Sequence, residues 1–277
     1  MKDNTVTELV PVPSATVILV RDAAQGIEVL MMQRNLQSIF VPGMYVFPGG
    51  KVDEEDDDAA AHVLAAHLSD DQASRLLGVE RGGLAYWAAA IRESFEEAGV
   101  LIAYDSARRM LSLNEPPVID RFCRHRDELN AGKCSFTRIL EAEQLSLAAD
   151  QLVYFSHWIT PVSAPRRYDT RFFVAAAPAE QVPLCDNTET ISHVWVRPAQ
   201  ALDRHREGDF KMRFPTVRTL EEFADYDSVA TLLSAMRAKR EIPTILPRIG
   251  KGGTRILPGD PGYEKAGAPD KEAKWKA

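Results

Sequence analysis

Residues 89–100 read AAIRESFEEAGV, and this stretch limits the fold more than any other. Glu93, Glu96 and Glu97 fall within five positions, just before Gly99. On a helix, positions i, i+3 and i+4 share a face, so the three carboxylates point into one volume. Gly99 reads as the left-handed residue that ends the helix, which puts the glutamates in its last turns, where the macrodipole already disfavours anions. Each such contact is unfavourable by a few tenths to roughly 1 kcal/mol. Arg92 can reach Glu96, but one guanidinium cannot offset three carboxylates. Clustered hard oxygens suit a hard divalent cation such as Mg²⁺ or Mn²⁺; a solvated acidic helix face is the alternative.

Apolar, β-branched runs ATVILVRD and IEVLMMQR flank AAQG and predict a hairpin, and MYVFPGG predicts a strand stopped by Pro48, Gly49 and Gly50. Helical spacing follows in DDDAAAHVLAAHL, DDQASRLLG and LAYWAAAIRESFEEAG, and again in VIDRFCRHRDELNAG and SFTRILEAEQL. LVYFSHWITP, RRYDTRFFVAAAP and ISHVWVRP read as strands. PAQALDRHREG, FPTVRTLEEFADY and VATLLSAMRAK read as helices, and the Pro- and Gly-rich tail from Pro243 as an extended arm or hairpin. This order predicts an α+β fold, a mixed sheet between helical layers.

The net charge of −7 disfavours broad contact with nucleic-acid phosphates. No apolar run is long enough to span a bilayer, and MKDNTVTELVPVPSA lacks a signal-peptide pattern, so a cytoplasmic setting without membrane partners is expected. Cys123, Cys134 and Cys185 form no paired framework and read as reduced structural thiols. His157, His193, Tyr45, Phe47 and Trp195 read as core or rim residues, although the aromatics could stack on a base.

FPGGKVDEEDDD places a turn and further acids ahead of the helix, with two glycines whose positive φ or close approach would let backbone meet a ligand. Taken with RESFEEAGV, it resembles the Nudix box, G-x5-E-x7-R-E-U-x-E-E-x-G-U, with U an aliphatic residue. Gly50, Asp56, Arg92, Glu93, Glu96, Glu97, Gly99 and Val100 take box positions. Asp56 stands for the first glutamate, Ser94 for an aliphatic residue, and 35 residues, 57 to 91, replace the usual seven. This split box resembles the branch of the Nudix hydrolases that contains the peroxisomal coenzyme A diphosphatase. The resemblance implies a single α/β/α sandwich domain over 1–277, with a core at about 12–205, an insert at about 57–85 that folds outward as a lid or dimer element, and C-terminal helices and tail at about 206–277.

It also implies Mg²⁺- or Mn²⁺-dependent cleavage of a small-molecule diphosphate, a nucleoside diphosphate linked to another moiety, with coenzyme A or acyl-CoA as the narrower substrate reading. Glu96 and Glu97 would be principal metal ligands, Glu93 a ligand or the base, Gly49 a carbonyl ligand, and Arg92 the group that orients a glutamate. Glu189 is a second candidate base. Arg34 belongs to VLMMQRNLQSIFVPGMYVFPGG, a stretch that partly matches the motif before the box in coenzyme A diphosphatases: Leu30, Arg34, Gly43 and Phe47 to Gly50 agree, whereas Met32, Asn35 and Ile39 depart. Arg166, Arg167 and Arg171 are further candidates for substrate phosphates by bidentate contacts. The competing reading is a non-catalytic Nudix-like nucleotide-binding module or regulator. It is disfavoured because all three glutamates are kept and no basic DNA-binding segment is visible. An isomerase on the same fold and an RNA decapping enzyme are weaker rivals.

Overall fold

The computed structural model describes residues 9–35, 42–60, 68–184, 190–250 and 253–266. An eight-stranded sheet runs through it: β1 (Val12–Ala23), β2 (Gly26–Arg34), β3 (Tyr45–Val46), β4 (Gly49–Lys51), β7 (Val153–Ile159), β8 (Tyr168–Ala176), β9 (Thr190–Val196) and β10 (Thr244–Ile245). β5 (Ala103–Tyr104) and β6 (Ser146–Leu147) form a small ladder, and β11 (Arg248–Ile249) and β12 (Arg255–Ile256) another. The helices are α1 (Glu55–Ala60), α2 (Asp70–Leu77), α3 (Gly83–Ala98), α4 (Pro116–Asn130), α5 (Phe136–Ala142), α6 (Pro198–Glu207), α7 (Phe214–Phe223) and α8 (Val229–Ala238). Among the described residues, no helix is long and apolar enough to cross a membrane.

The sheet order is β10-β7-β8-β1-β2-β3, with β4 also on β1 and β9 also on β2. β1–β8 and β10–β7 are parallel and the other pairs antiparallel, so the sheet is mixed. β1 and β2 pair as the expected hairpin only near their turn, Val20 opposite Val29. Farther along, β3 pairs with β2 at Met32 and Gln33, and β4 pairs with β1 from Ser14 to Thr16. The strand that MYVFPGG predicts is thus two short pieces, one for each hairpin strand. This sets Gly49 and Gly50 beside Thr16 and Ala15 of β1.

Alternation along β1 sorts its side chains to two faces. Val17 and Leu19 join Leu30, Met32, Trp87 and Phe95 on one side, while Ile18 and Val20 join Val29, Met31, Leu220, Phe223 and Leu232 on the other. α3 is buried along nearly its whole length. It lies between the sheet on one side and α1, α2 and α4 on the others.

Within the described part of the insert, α2 packs against the box helix α3. α2 begins with a capping box formed by Ser69 and Gln72, and it then supplies the cap of α3. Asp70 carboxylate oxygens accept from Gly82 N at 3.0 Å and Leu84 N at 2.9 Å, and Ser74 Oγ accepts from Gly83 N at 2.9 Å. Gly82, at the N-cap of α3, has no side chain to do this, so a carboxylate from the insert satisfies the exposed amides and meets the positive end of the dipole. Asp70→Ala is therefore expected to destabilise the fold by about 1 kcal/mol, in a range of roughly 0.5–2. Urea unfolding checks this, with Asp70→Asn keeping more of the stability than alanine. An unchanged midpoint for the alanine variant would contradict the cap.

Candidate active site

β4 and α1 carry one half of the split box, and α3 carries the other. Arg92 joins them. Its Nε and Nη2 donate to the two Asp56 carboxylate oxygens at 2.9 and 3.0 Å, and its Nη1 donates to Glu93 Oε1 at 2.9 Å and Glu96 Oε2 at 3.0 Å. Nη2 also donates to the Lys51 carbonyl at 2.9 Å, which fastens α3 to β4. Asp56 is fully buried and also accepts from Asp53 N at 2.8 Å. Glu97 turns to the other side of this junction, where its Oε2 accepts from Gly49 N at 3.1 Å and its Oε1 lies 4.0 Å from Arg34 Nη1.

The glycines work by close approach. Neither Gly49 nor Gly50 is in the left-handed region, so of the two uses read for them close approach is the one the fold makes. A Cβ on Gly50 would lie 2.2 Å from Glu93 Oε1, so a side chain there would displace the carboxylate. Gly99 does adopt the expected left-handed backbone, φ +68°, and its N–H donates to Phe95 and Ser94 carbonyls.

Electrostatics at the site follow from burial. Burial opposes the charge on Arg92, but the Asp56 hydrogen bond and the charges of Glu93, Asp56 and Glu96 outweigh it and hold its pKa above the ordinary value. Burial raises Asp56 and Glu96, with Arg92 pulling both down. Burial also pushes the Glu93 carboxyl up to about 7 from 4.5; Arg92 opposes this shift and the Glu96 charge adds to it. Without metal, the folded protein therefore holds a proton on Glu93 that the unfolded chain has released. That stability is fully present below pH 4.5 and is lost as pH rises through about 7. Metal-free Glu93→Gln is expected to melt above the wild type near pH 8, and the gap should close toward pH 4.5. Thermal denaturation in chelator tests this; equal melting temperatures at the higher pH would contradict it.

Among the described residues, no three acidic, histidine or cysteine side chains already surround one point in a metal-binding group. The carboxylates instead face Arg92, Gly49 N and Arg34. In chemical kind the set still fits a hard divalent cation: hard oxygen donors, partly buried, with repulsion left to offset. Two cavities, of about 390 and 230 Å³, are lined by other residues, among them Trp158 and Arg218 in the first and Trp87 and Met236 in the second.

The remaining candidates separate. Arg34 ends β2 beside Glu97. Arg166 is exposed ahead of β8. Arg167 is buried, donating to the carbonyls of Thr160 and Leu9 at 3.1 and 2.7 Å. Arg171, also buried, binds Asp169 and His157 and donates to the Leu77 carbonyl at 3.2 Å, tying the end of α2 to the sheet. The structure thus places Arg167 and Arg171 in internal contacts and only Arg34 beside a box carboxylate. Glu189 and Cys185 lie outside the described residues. Sequence reasoning missed Arg126 of α4, whose Nε and Nη2 donate to the Glu96 and Glu97 carbonyls, both at 2.8 Å. The available signal was general: the last carbonyls of any helix lack amide partners and need donors from elsewhere.

A family model described as the NUDT19 Nudix domain matches residues 67–222, more than half of the chain. Putative nudix hydrolase 7 of Caenorhabditis elegans is 28% identical over 235 residues, 84% of this chain and 68% of that protein. Acyl-coenzyme A diphosphatase NUDT19 of Homo sapiens is 25% identical over 277 residues, 87% of this chain and 73% of that protein. Among solved structures, a Nudix hydrolase from Alicyclobacillus acidocaldarius is 25% identical with a TM-score of 0.68, and the match covers 81% of this chain and 96% of that one.

Proposed function

Because the chain belongs to the Nudix hydrolases, in the family of the NUDT19 Nudix domain, we propose that it is a divalent-metal-dependent diphosphatase whose substrate is coenzyme A or an acyl-coenzyme A. The observation that carries this reading is the junction at Arg92, which collects Asp56, Glu93 and Glu96 across 35 intervening residues while Glu97 reaches Gly49. Glu93, Glu96 and Glu97, with the Gly49 carbonyl, would hold the ion. Bound Mg²⁺ or Mn²⁺ supplies Lewis acidity, polarising a phosphate oxygen and lowering the pKa of a water.

The protein's own groups do the rest. Arg92 keeps Glu93 and Glu96 in one orientation by donating to both from a single nitrogen. Where it does not ligate the ion, Glu93 is the candidate base of the described site, held at the junction by Arg92. Glu189 is the alternative base, from the segment before β9. Arg34, beside Glu97, would hold a phosphate oxygen, with the exposed Arg166 a further candidate and Arg167 and Arg171 engaged in internal contacts. Water attacks one phosphorus of the diphosphate, the bridging P–O bond breaks, and two phosphate monoesters leave. From coenzyme A these are 3′,5′-ADP and 4′-phosphopantetheine. Relatives named acyl-coenzyme A diphosphatase, the human protein among them, support the narrower substrate.

The test compares coenzyme A, dephospho-coenzyme A, ADP-ribose and NADH at equal concentration with Mg²⁺. Coenzyme A is expected to be cleaved at least as well as the others, and Arg34→Ala to weaken its cleavage selectively. Dominance of ADP-ribose or NADH would overturn the coenzyme A reading and leave only the general diphosphatase.

A further inference from the structure

We propose that Arg126 is a positioning residue for the site, holding the Glu96 and Glu97 carboxylates in place through their own backbone carbonyls. The inference rests on the reading of Glu96 and Glu97 as metal ligands. Arg126 lies on α4, which packs against the box helix by the edge of Phe122 on Phe95, ring centroids 6.3 Å apart. Its side chain is buried, 6% exposed, and its planar fork bridges two successive carbonyls, Nε to Glu96 O and Nη2 to Glu97 O. These belong to the two residues read as principal metal ligands.

Other donors converge on the same helix end. Asn130 Nδ2 donates to Glu96 O and Thr190 Oγ1 to Glu97 O, each at 3.3 Å, and Leu184 N donates to Ala98 O at 2.8 Å. Water would satisfy these carbonyls equally well, but it would leave the helix end free to fray. A buried guanidinium instead fixes both peptide planes and puts a full positive charge at the negative end of the dipole, one turn from the crowded carboxylates. Gly99 leaves room for it: a Cβ there would come within 3.3 Å of Arg126 Nη1. The glycine that ends the box helix therefore also makes the seat for the arginine that clamps it.

A cap that only stabilises the fold would change melting temperature and leave metal affinity alone. The experiment is calorimetric titration of Mn²⁺ into metal-stripped protein, well below the melting temperature of every variant. Arg126→Met is expected to bind Mn²⁺ roughly 10- to 100-fold more weakly, as loss of an outer-shell partner does. The Mg²⁺ concentration for half-maximal hydrolysis should rise in parallel, with substrate KM at saturating metal unchanged. Arg126→Lys, a point donor without the fork, should fall between methionine and wild type. Leu232→Ala, in the core on the opposite face of the sheet, should lower the melting temperature without weakening Mn²⁺ binding. Wild-type Mn²⁺ affinity in folded Arg126→Met overturns the inference, as does equal weakening in Leu232→Ala. Should the methionine variant not fold, the lysine variant decides alone, and wild-type affinity in it overturns the proposal. A Glu96→Gln protein that binds Mn²⁺ as tightly as wild type fails differently: it removes Glu96 as a ligand, whatever Arg126 does.

Discussion

Replacing Arg92 with methionine is expected to destabilise the metal-free protein by about 3–5 kcal/mol, the usual effect of removing one partner of a buried ion pair. Asp56 is fully buried, and Arg92 provides both hydrogen bonds that bridge its two oxygens. Without the guanidinium, the carboxylate must stay charged and unpaired or take up a proton. Glu93 and Glu96 lose their shared donor, and β4 loses the contact through the Lys51 carbonyl. Adding Asp56→Asn should recover part of the loss, because the amide oxygen can still accept from Asp53 N while the buried charge is gone. Arg92→Lys should remain well below wild type, since one ammonium cannot bridge the two Asp56 oxygens and reach the other carboxylates. Urea unfolding at neutral pH measures all three. A loss under about 1 kcal/mol for Arg92→Met would place this cluster with ordinary surface ion pairs.

Glu96→Gln should have the opposite profile, an intact fold with little turnover. The change removes one ligand charge from the proposed metal site, and the rate is expected to fall on the order of 10²-fold, as when one electrostatic contact to the transferring group is lost. Stability without metal should hold or rise. The substitution removes an anion from the last turn of α3, while Arg92 keeps Asp56 and Glu93. Rates at saturating Mg²⁺ and melting curves in chelator report the two effects separately. A near wild-type rate in the variant would contradict its place in the site.

The legible parts of this molecule were those governed by short-range periodicity. The apolar, β-branched runs of β1 and β2, the 3.6-residue pattern of α3 and the left-handed Gly99 each depend on neighbours within a few positions. Arg92 and the three glutamates were legible because their crowding is unfavourable by itself and asks for a reason. The role of the insert was not. Asp70 looks like one more acid at the start of a helix, and that it caps α3 depends on a contact 12 to 14 positions away. Arg167 and Arg171 show the same limit: a strand sequence gives the alternation of its arginines, but not which carbonyls or carboxylates the tertiary structure brings to them. Gly49 and Gly50 were legible as sites of close approach, but not that Glu93 and Glu97 are the groups that approach them. Arg126 was invisible for the same reason, as one arginine among several in RFCRHRDELN.

The most direct measurement of the central claim is the rate of coenzyme A hydrolysis by chelator-stripped protein as Mg²⁺ is added back, with the products identified. The account expects no hydrolysis in chelator, recovery that saturates with Mg²⁺, and equal amounts of 3′,5′-ADP and 4′-phosphopantetheine. Full activity in chelator, or a saturating metal response that is the same in wild type and Glu96→Gln, would contradict a diphosphatase built on these carboxylates.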